Sequence, residues 1–139
     1  MKKSLSTIIC ILGLGFFSSV VQAEAQVKEG LAGVTYISGG IGEGGQENFE
    51  MLRPEYNLRL MFANKSGEYV ASVKVDVVDL SNYDEVIHDV SEGPMLFAKL
   101  PAGNYYIVVY YLGEEISKKI KVKANQAPIN LYYHFKELT

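Results

Sequence analysis

The chain has little cysteine and no tryptophan: Cys10 is the one cysteine among 139 residues. Cys10 lies in an N-terminal apolar run, and if that run is removed, the remaining chain has no cysteine at all. Such a chain cannot gain a disulfide even in an oxidising compartment, so we expect its hydrophobic core to supply the stability. His88 and His134 are the two histidines. Neither has a second histidine, a cysteine or paired carboxylates at metal-ligand spacing, so no metal site is predicted.

Basic residues are also in the minority. The formal net charge is −3, and losing Lys2 and Lys3 with an N-terminal signal would make it −5. Nucleic acids and anionic lipids are bound by concentrated basic faces, so neither is expected as a partner. The one basic cluster comprises Lys118, Lys119, Lys121 and Lys123. On a strand this cluster favours a solvated surface that resists aggregation over a site for anionic ligands.

The first residues have the organisation of a secretory signal. Two lysines precede an apolar run from Ile8 to Phe17, and small and polar residues follow it. Cleavage is expected after Ala23, with Ala25 as the alternative. The run is interrupted by Ser18 and is shorter than the roughly 20 apolar residues of a membrane-spanning helix. We therefore expect a periplasmic or secreted protein, exported in the Gram-negative manner.

One β-rich domain is expected over residues 24–139, after a signal peptide of residues 1–23. From Tyr56 onward the hydrophobic period is two and turn residues separate the runs, which favours strands. The expected strands are 33–37, 58–62, 69–77, 85–90, 95–100, 104–112, 116–122 and 129–135. The second and third should pair as a hairpin, the 104–112 strand should be covered on both faces, and only 46–52 should be helical. The pattern predicts an all-β fold, an antiparallel Greek-key sandwich of about seven or eight strands.

Glycine is concentrated between residues 39 and 45. The segment contains G-x-G-x-x-G, but strand-like sequence follows it and Glu43 would face the phosphates, so we expect a loop and no dinucleotide cofactor. Long glycine-rich loops on rigid scaffolds often bind partners, which makes Gly40, Gly42 and Glu43 candidate binding residues.

Tyrosine is the most abundant aromatic residue, with ten in the chain. Most should pack in or near the core, but tyrosines with exposed faces stack on sugars or anchor interfaces. Tyr106 and Tyr110 share the face of their strand opposite the expected core side, so both are candidate binding residues. The oxygen-rich segment 79–85 resembles a calcium loop but lacks its third ligand and glycine, which favours an ordinary hairpin turn. No catalytic signature is present, and we expect no enzyme activity.

The run Leu100-Pro101-Ala102-Gly103-Asn104-Tyr105-Tyr106-Ile107, followed by Gly113, resembles the L-P-x-G-x-Y-x-V…G signature of carboxypeptidase regulatory-like domains, which are transthyretin-like (prealbumin-like) sandwiches. The wider pattern, over about residues 36–123, also resembles small exported bacterial proteins of that type. The resemblance implies structural roles for Leu100, Pro101, Gly103 and Tyr105, with the Tyr105 hydroxyl bonded to upstream backbone.

Similarity to that family implies a non-catalytic accessory module. The hydroxyisourate hydrolases are its enzymatic relatives, but their Tyr-Arg-Gly-Ser/Thr ending is absent from this chain, which ends Phe135-Lys136-Glu137-Leu138-Thr139. We therefore expect a module that docks an envelope protein through a strand edge or the glycine-rich loop. Binding of a small ligand or glycan through a tyrosine face is the alternative, and a hydrolase is third.

Overall fold

The computed structural model describes residues 26–136, which form two β-sheets packed face to face. The predicted all-β sandwich is confirmed. The predicted signal peptide, with both candidate cleavage positions, lies outside the described residues. Across 26–136, no helix has the length and apolar character needed to cross a membrane.

The described residues form nine strands, where about seven or eight were expected. They are β1 (Lys28–Glu29), β2 (Thr35–Gly39), β3 (Leu58–Asn64), β4 (Lys74–Asp79), β5 (Asp84–Val90), β6 (Met95–Lys99), β7 (Gly103–Tyr111), β8 (Glu114–Val122) and β9 (Ile129–Phe135). One helix, α1 (Gly42–Leu52), and a 3-10 turn (Arg53–Glu55) connect β2 to β3.

The five-stranded sheet has the order β1-β2-β6-β3-β9. Its pairs are antiparallel except the last, because β9 runs parallel to β3 from Leu58 opposite Ile129 to Asn64 opposite Phe135. The expectation of a purely antiparallel sandwich was therefore wrong at this one pair. Sequence periodicity reports which face a residue occupies and carries no information on strand direction.

The four-stranded sheet has the order β5-β4-β7-β8. The predicted hairpin of segments 58–62 and 69–77 was wrong, because β3 and β4 lie in different sheets and the segments share only an isolated bridge between Ala63 and Tyr69. Two true hairpins form this sheet instead. The β4–β5 turn confirms the hairpin expected at 79–85, where the Asp79 side chain accepts hydrogen bonds from the backbone N–H and the hydroxyl of Ser81.

The main core lies between the two sheets and is built from alternate residues of every long strand. It includes Leu58, Leu60, Phe62, Val73, Val75, Val77, Leu96, Tyr105, Ile107, Val109, Tyr133 and Phe135. This alternation is the pattern seen in the sequence, which is why the fold class could be predicted from it.

A second, smaller core lies on the outer face of the five-stranded sheet, under α1. Phe49 of the helix is 1% exposed and packs edge-to-face on Phe97 at 5.0 Å, next to Ile37, Tyr56 and Met95. The expected helix of 46–52 was too short, because α1 begins at Gly42. Packing against the sheet outweighs the low helix propensity of its glycines.

One side of the sandwich is closed by polar contacts. The Tyr36 hydroxyl donates to Asp89 at 2.8 Å, Lys28 pairs with the same carboxylate at 3.2 Å, and the Leu31 N–H donates to the carbonyl of Val86 at 3.1 Å. Burial raises the pKa of Asp89, but the hydrogen bonds that its carboxylate accepts outweigh burial and leave the pKa below its usual value. On the opposite side, formed by β8 and β9, the backbone N–H of Lys136, just after β9, donates to the carboxylate of Glu114, at the start of β8, at 2.7 Å.

Candidate functional site

The glycine-rich segment is not a free loop. Its residues form the end of β2, a short turn and the first turn of α1. A Cβ atom on Gly40 would lie 3.0 Å from the Met95 sulfur, and one on Gly45 would lie 3.2 Å from the Gly40 backbone. These glycines therefore let the helix lie close to the sheet, a packing role that the expectation of a binding loop missed.

The expectation that strand-like sequence follows the glycines was also wrong. The motif does join a strand, β2, to a helix, α1. The strands β2 and β3 lie on either side of β6, and they run parallel to each other because both are antiparallel to β6. Of the three candidate residues, Gly40 is buried and Gly42 is exposed at the helix start, with a φ of 75°. Glu43 lies in the first turn of α1.

Tyr106 and Tyr110 lie on the outer face of the four-stranded sheet, as expected. Tyr106 is partly buried and Tyr110 is 45% exposed, while their neighbours Tyr105, Ile107 and Val109 point into the core. The expectation that β7 is central was confirmed, but its second face was expected to be covered. No described segment forms a second layer over it, and both tyrosine rings are at least partly exposed.

The residues of the L-P-x-G-x-Y motif support the chain reversal before β7. The Tyr105 hydroxyl donates to the Pro101 carbonyl at 2.7 Å, which is the hydrogen bond to upstream backbone that was expected. Leu100 is buried, and both its backbone groups are bonded to the Asn57 side chain at 2.8 and 2.9 Å. Gly103, at the start of β7, is partly buried. These contacts stabilise the turn before β7.

The open edge, defined as the free sides of β8 and β9, is the feature with the clearest capacity to bind. Each of these two strands ends its sheet and pairs with one described neighbour only. They differ in charge. The side chains of Lys118, Lys119 and Lys121 on β8 are exposed, whereas β9 has the sequence INLYYHF and carries no acidic residue, lysine or arginine.

A groove of about 400 Å³ separates the two edge strands. Its lining is Ile116, Ser117, Lys118, Leu131, Tyr132, Tyr133 and His134. Leu131 and Ile116 are only partly buried and pack against the main core, so the groove gives an apolar side chain access to that core. The Tyr133 hydroxyl is buried and has no hydrogen-bond partner in residues 26–136, and burial raises the pKa of Tyr133 to about 12.

His88 is not isolated from carboxylates, so the expectation from sequence spacing was wrong. Its Nδ1 contacts Asp76 Oδ1 and lies 3.4 Å from Glu85 Oε2. The hydrogen bond to Asp76, followed by the charges of Asp76 and Glu85, raises the pKa of His88. The cluster was missed because it needs the β4–β5 register, which spacing along one strand does not give. It lies on an open face, with the His88 side chain 60% exposed.

Comparison of the chain with protein-family models and with curated proteins gave no match. The resemblance carried by the L-P-x-G-x-Y motif therefore remains a prediction, and the geometry of the sandwich has to support any assignment of function.

Proposed function

We propose that the protein is an exported, non-catalytic β-sandwich module that binds an extended segment of another envelope protein along the free side of β9. One observation carries the proposal: β9 is a seven-residue edge strand that contains no Lys, Arg, Asp or Glu. An edge strand presents backbone N–H and C=O groups, and a partner strand can add to the sheet by pairing with them.

The other three edges carry features that oppose strand addition. The β1 edge is two residues long. The β5 edge is bonded to the segment after β1 through Leu31 and Val86, and β8 carries three exposed lysines. Short length, covering and lysine are the usual protections of an edge strand. Within residues 26–136, β9 has none of these three protections, which supports binding at β9.

The groove beside β9 supports a preference for particular partner side chains. Alternate residues of an added strand would point toward Ile116 and Leu131, which favours an apolar residue at those positions. Lys118 lines the same groove and favours an acidic residue next to the apolar one. The proposed partner segment is therefore extended, apolar at alternate positions and acidic at one.

The test places a photoreactive amino acid at Tyr132, on β9, or at Tyr83, which is 77% exposed in the β4–β5 turn. Crosslinking in the cell of origin should give a discrete product from Tyr132 and none from Tyr83. A photoreactive group at His134, also on β9, should give a product as well, and Tyr132→Lys in that chain should remove it, because lysine protects an edge. Val90→Lys, on the β5 edge, is the matched control and should leave the product unchanged. Equal products from Tyr132 and Tyr83, or survival in Tyr132→Lys, would overturn the proposal.

Ligand or glycan binding through Tyr106 and Tyr110 is the second candidate. It is favoured by the open outer face of β7, where Val108 lies between the two tyrosines and extends an apolar surface. Sugars stack on such surfaces. A glycan array is the direct measurement, and Tyr106→Ala and Tyr110→Ala should each remove any hit. Binding retained by both variants would exclude this face.

A further inference from the structure

We propose that Asp76, Glu85 and His88, called here the His88 cluster, form a binding site for a divalent transition-metal ion such as Zn²⁺. The site lies on the solvent face of the four-stranded sheet. It is independent of the proposed strand addition, because β9 belongs to the other sheet.

The distance from His88 to Glu85 fits such an ion, and that from His88 to Asp76 has to increase. One ligand atom from each of the three residues lies within 4.8 Å of the others, and His88 Nδ1 is 3.4 Å from Glu85 Oε2. In a tetrahedral zinc site with bonds of about 2.0–2.2 Å, ligand atoms lie roughly 3.3–3.6 Å apart. The Asp76 carboxylate, now in contact with His88, has to move outward by a small side-chain rotation to admit the ion.

A β-bulge brings the third ligand to the cluster. Asp76 and His88 are directly opposite on β4 and β5, and the register then shifts so that Val78 is opposite Glu85. Residues 85 and 88 of a regular strand point to opposite faces, because side chains alternate. The bulge buries Val86 and Ile87 together and turns Glu85 to the same outer face as His88. Bulges that re-aim a side chain are frequent beside functional sites.

The segment that follows β1, at the edge of the five-stranded sheet, holds the bulge in place. The Val86 carbonyl accepts the Leu31 N–H at 3.1 Å, and Gly30 lies so close that an added Cβ would be 1.8 Å from that oxygen. The backbone next to Glu85 is therefore fixed before any ion binds, and only the exposed Glu85 side chain has to be ordered, which lowers the entropic cost of assembling the site.

The donor set selects the class of ion. One imidazole nitrogen and two carboxylate oxygens suit Zn²⁺ and similar transition metals, whereas Ca²⁺ takes six to eight oxygen ligands. Three protein ligands leave a fourth position for water or for a donor from a bound molecule. Asp76 is directly opposite Val108 on β7, so the fourth coordination position lies next to the outer face that carries Tyr106 and Tyr110.

The test is calorimetric titration of the full exported chain with ZnCl₂, using protein purified without a polyhistidine tag. We expect one Zn²⁺ per chain. His88→Gln and Glu85→Gln should each weaken binding at least about tenfold, since even the loss of outer-shell partners costs that much. Asp84→Asn removes an adjacent exposed carboxylate and His134→Gln removes the other histidine, so both are matched controls and should bind as the original chain does.

Titration with CoCl₂ gives a second readout, because tetrahedral Co²⁺ has intense ligand-field absorption bands that His88→Gln should remove. All four substituted side chains are exposed, so each variant is expected to fold, and circular dichroism checks this. The proposal is overturned by absent Zn²⁺ binding, by equal loss in the control variants, or by Ca²⁺ binding that is as tight as that of Zn²⁺ and persists in His88→Gln.

Discussion

The hydroxyl of Tyr105 donates a 2.7 Å hydrogen bond to the carbonyl oxygen of Pro101, four residues earlier in the chain. The tyrosine ring is buried in the main core, so this hydrogen bond attaches the turn before β7 to the interior of the sandwich. A turn and the central strand of a sheet are thus stabilised by the same side chain.

Tyr105→Phe should lower the free energy of unfolding by about 1 kcal/mol, because the ring still fills its place and only the hydrogen bond is lost. Urea denaturation measures this change. Tyr106→Phe is the control on the same strand, and it should change stability by less than half as much. Equal effects of the two substitutions would contradict the assigned role of the Tyr105 hydroxyl.

The β7–β8 turn contains a non-glycine residue in the left-handed region. Leu112 has a φ of 45° and is followed by Gly113 with a φ of 89°, in a two-residue turn of the type that prefers Asn-Gly. Leu112 is 58% exposed and loses little burial on replacement. Leu112→Asn should therefore raise the midpoint of thermal unfolding and add about 1 kcal/mol of stability, while Leu112→Val should lower it.

The glycines of α1 provide a test of its position. Nothing lies within 4 Å of a Cβ atom added to Gly44, whereas one added to Gly45 would meet the Gly40 backbone at 3.2 Å. Gly44→Ala should stabilise the protein by about 0.5–1 kcal/mol because alanine favours the helix. Gly45→Ala should gain less or destabilise. If urea denaturation gives the same gain for both, α1 does not pack on the sheet as described.

The buried hydroxyl of Tyr133 predicts a stabilising substitution. Tyr133 is 5% exposed, packs beside Phe62 at 5.9 Å between ring centroids, and leaves its hydroxyl without a partner in the described part of the chain. Tyr133→Phe removes that polar group at constant ring volume, so it should raise the free energy of unfolding by about 1 kcal/mol. A loss of stability would show that the hydroxyl is bonded in solution.

The raised pKa of Tyr133 also predicts that the free energy of unfolding depends on pH in the alkaline range. Burial raises its pKa from 10.0 to about 12, so the unfolded chain releases this proton at a lower pH than the folded protein does. The titration of Tyr133 therefore leaves the free energy of unfolding unchanged below pH 10 and lowers it as the pH rises from 10 to 12. Urea denaturation across this range should show a smaller loss in Tyr133→Phe. Parallel pH curves for the two proteins would contradict the raised pKa.

Much of the fold could be predicted from local patterns. Alternation along β7 correctly assigned Tyr105, Ile107 and Val109 to the core and Tyr106 and Tyr110 to the outer face. The turn residues likewise located the β4–β5 hairpin. Each of these inferences uses residues that are close in sequence, and the side-chain period of two applies to any strand whatever its partners.

The His88 cluster and the open edge could not be predicted in this way. His88 meets Asp76 because of the register between two strands, and Glu85 joins them through a bulge that alternation does not reveal. The uncharged sequence of β9 was visible, but its place at a sheet edge depends on pairing with β3, far away in the chain. The start of α1 at Gly42 depends on packing over Phe97, which overrides a weak local propensity.

The sequence alone determined that this chain folds as a β-sandwich, and it determined the inward or outward direction of the side chains in β7, because two-residue alternation and turn chemistry are local properties. Tertiary structure alone decided which strands lie at an edge, which carboxylates meet His88, and that the glycine-rich segment begins a helix. Those features depend on register and packing between distant segments, whose free energies appear only when the two sheets and the helix come together.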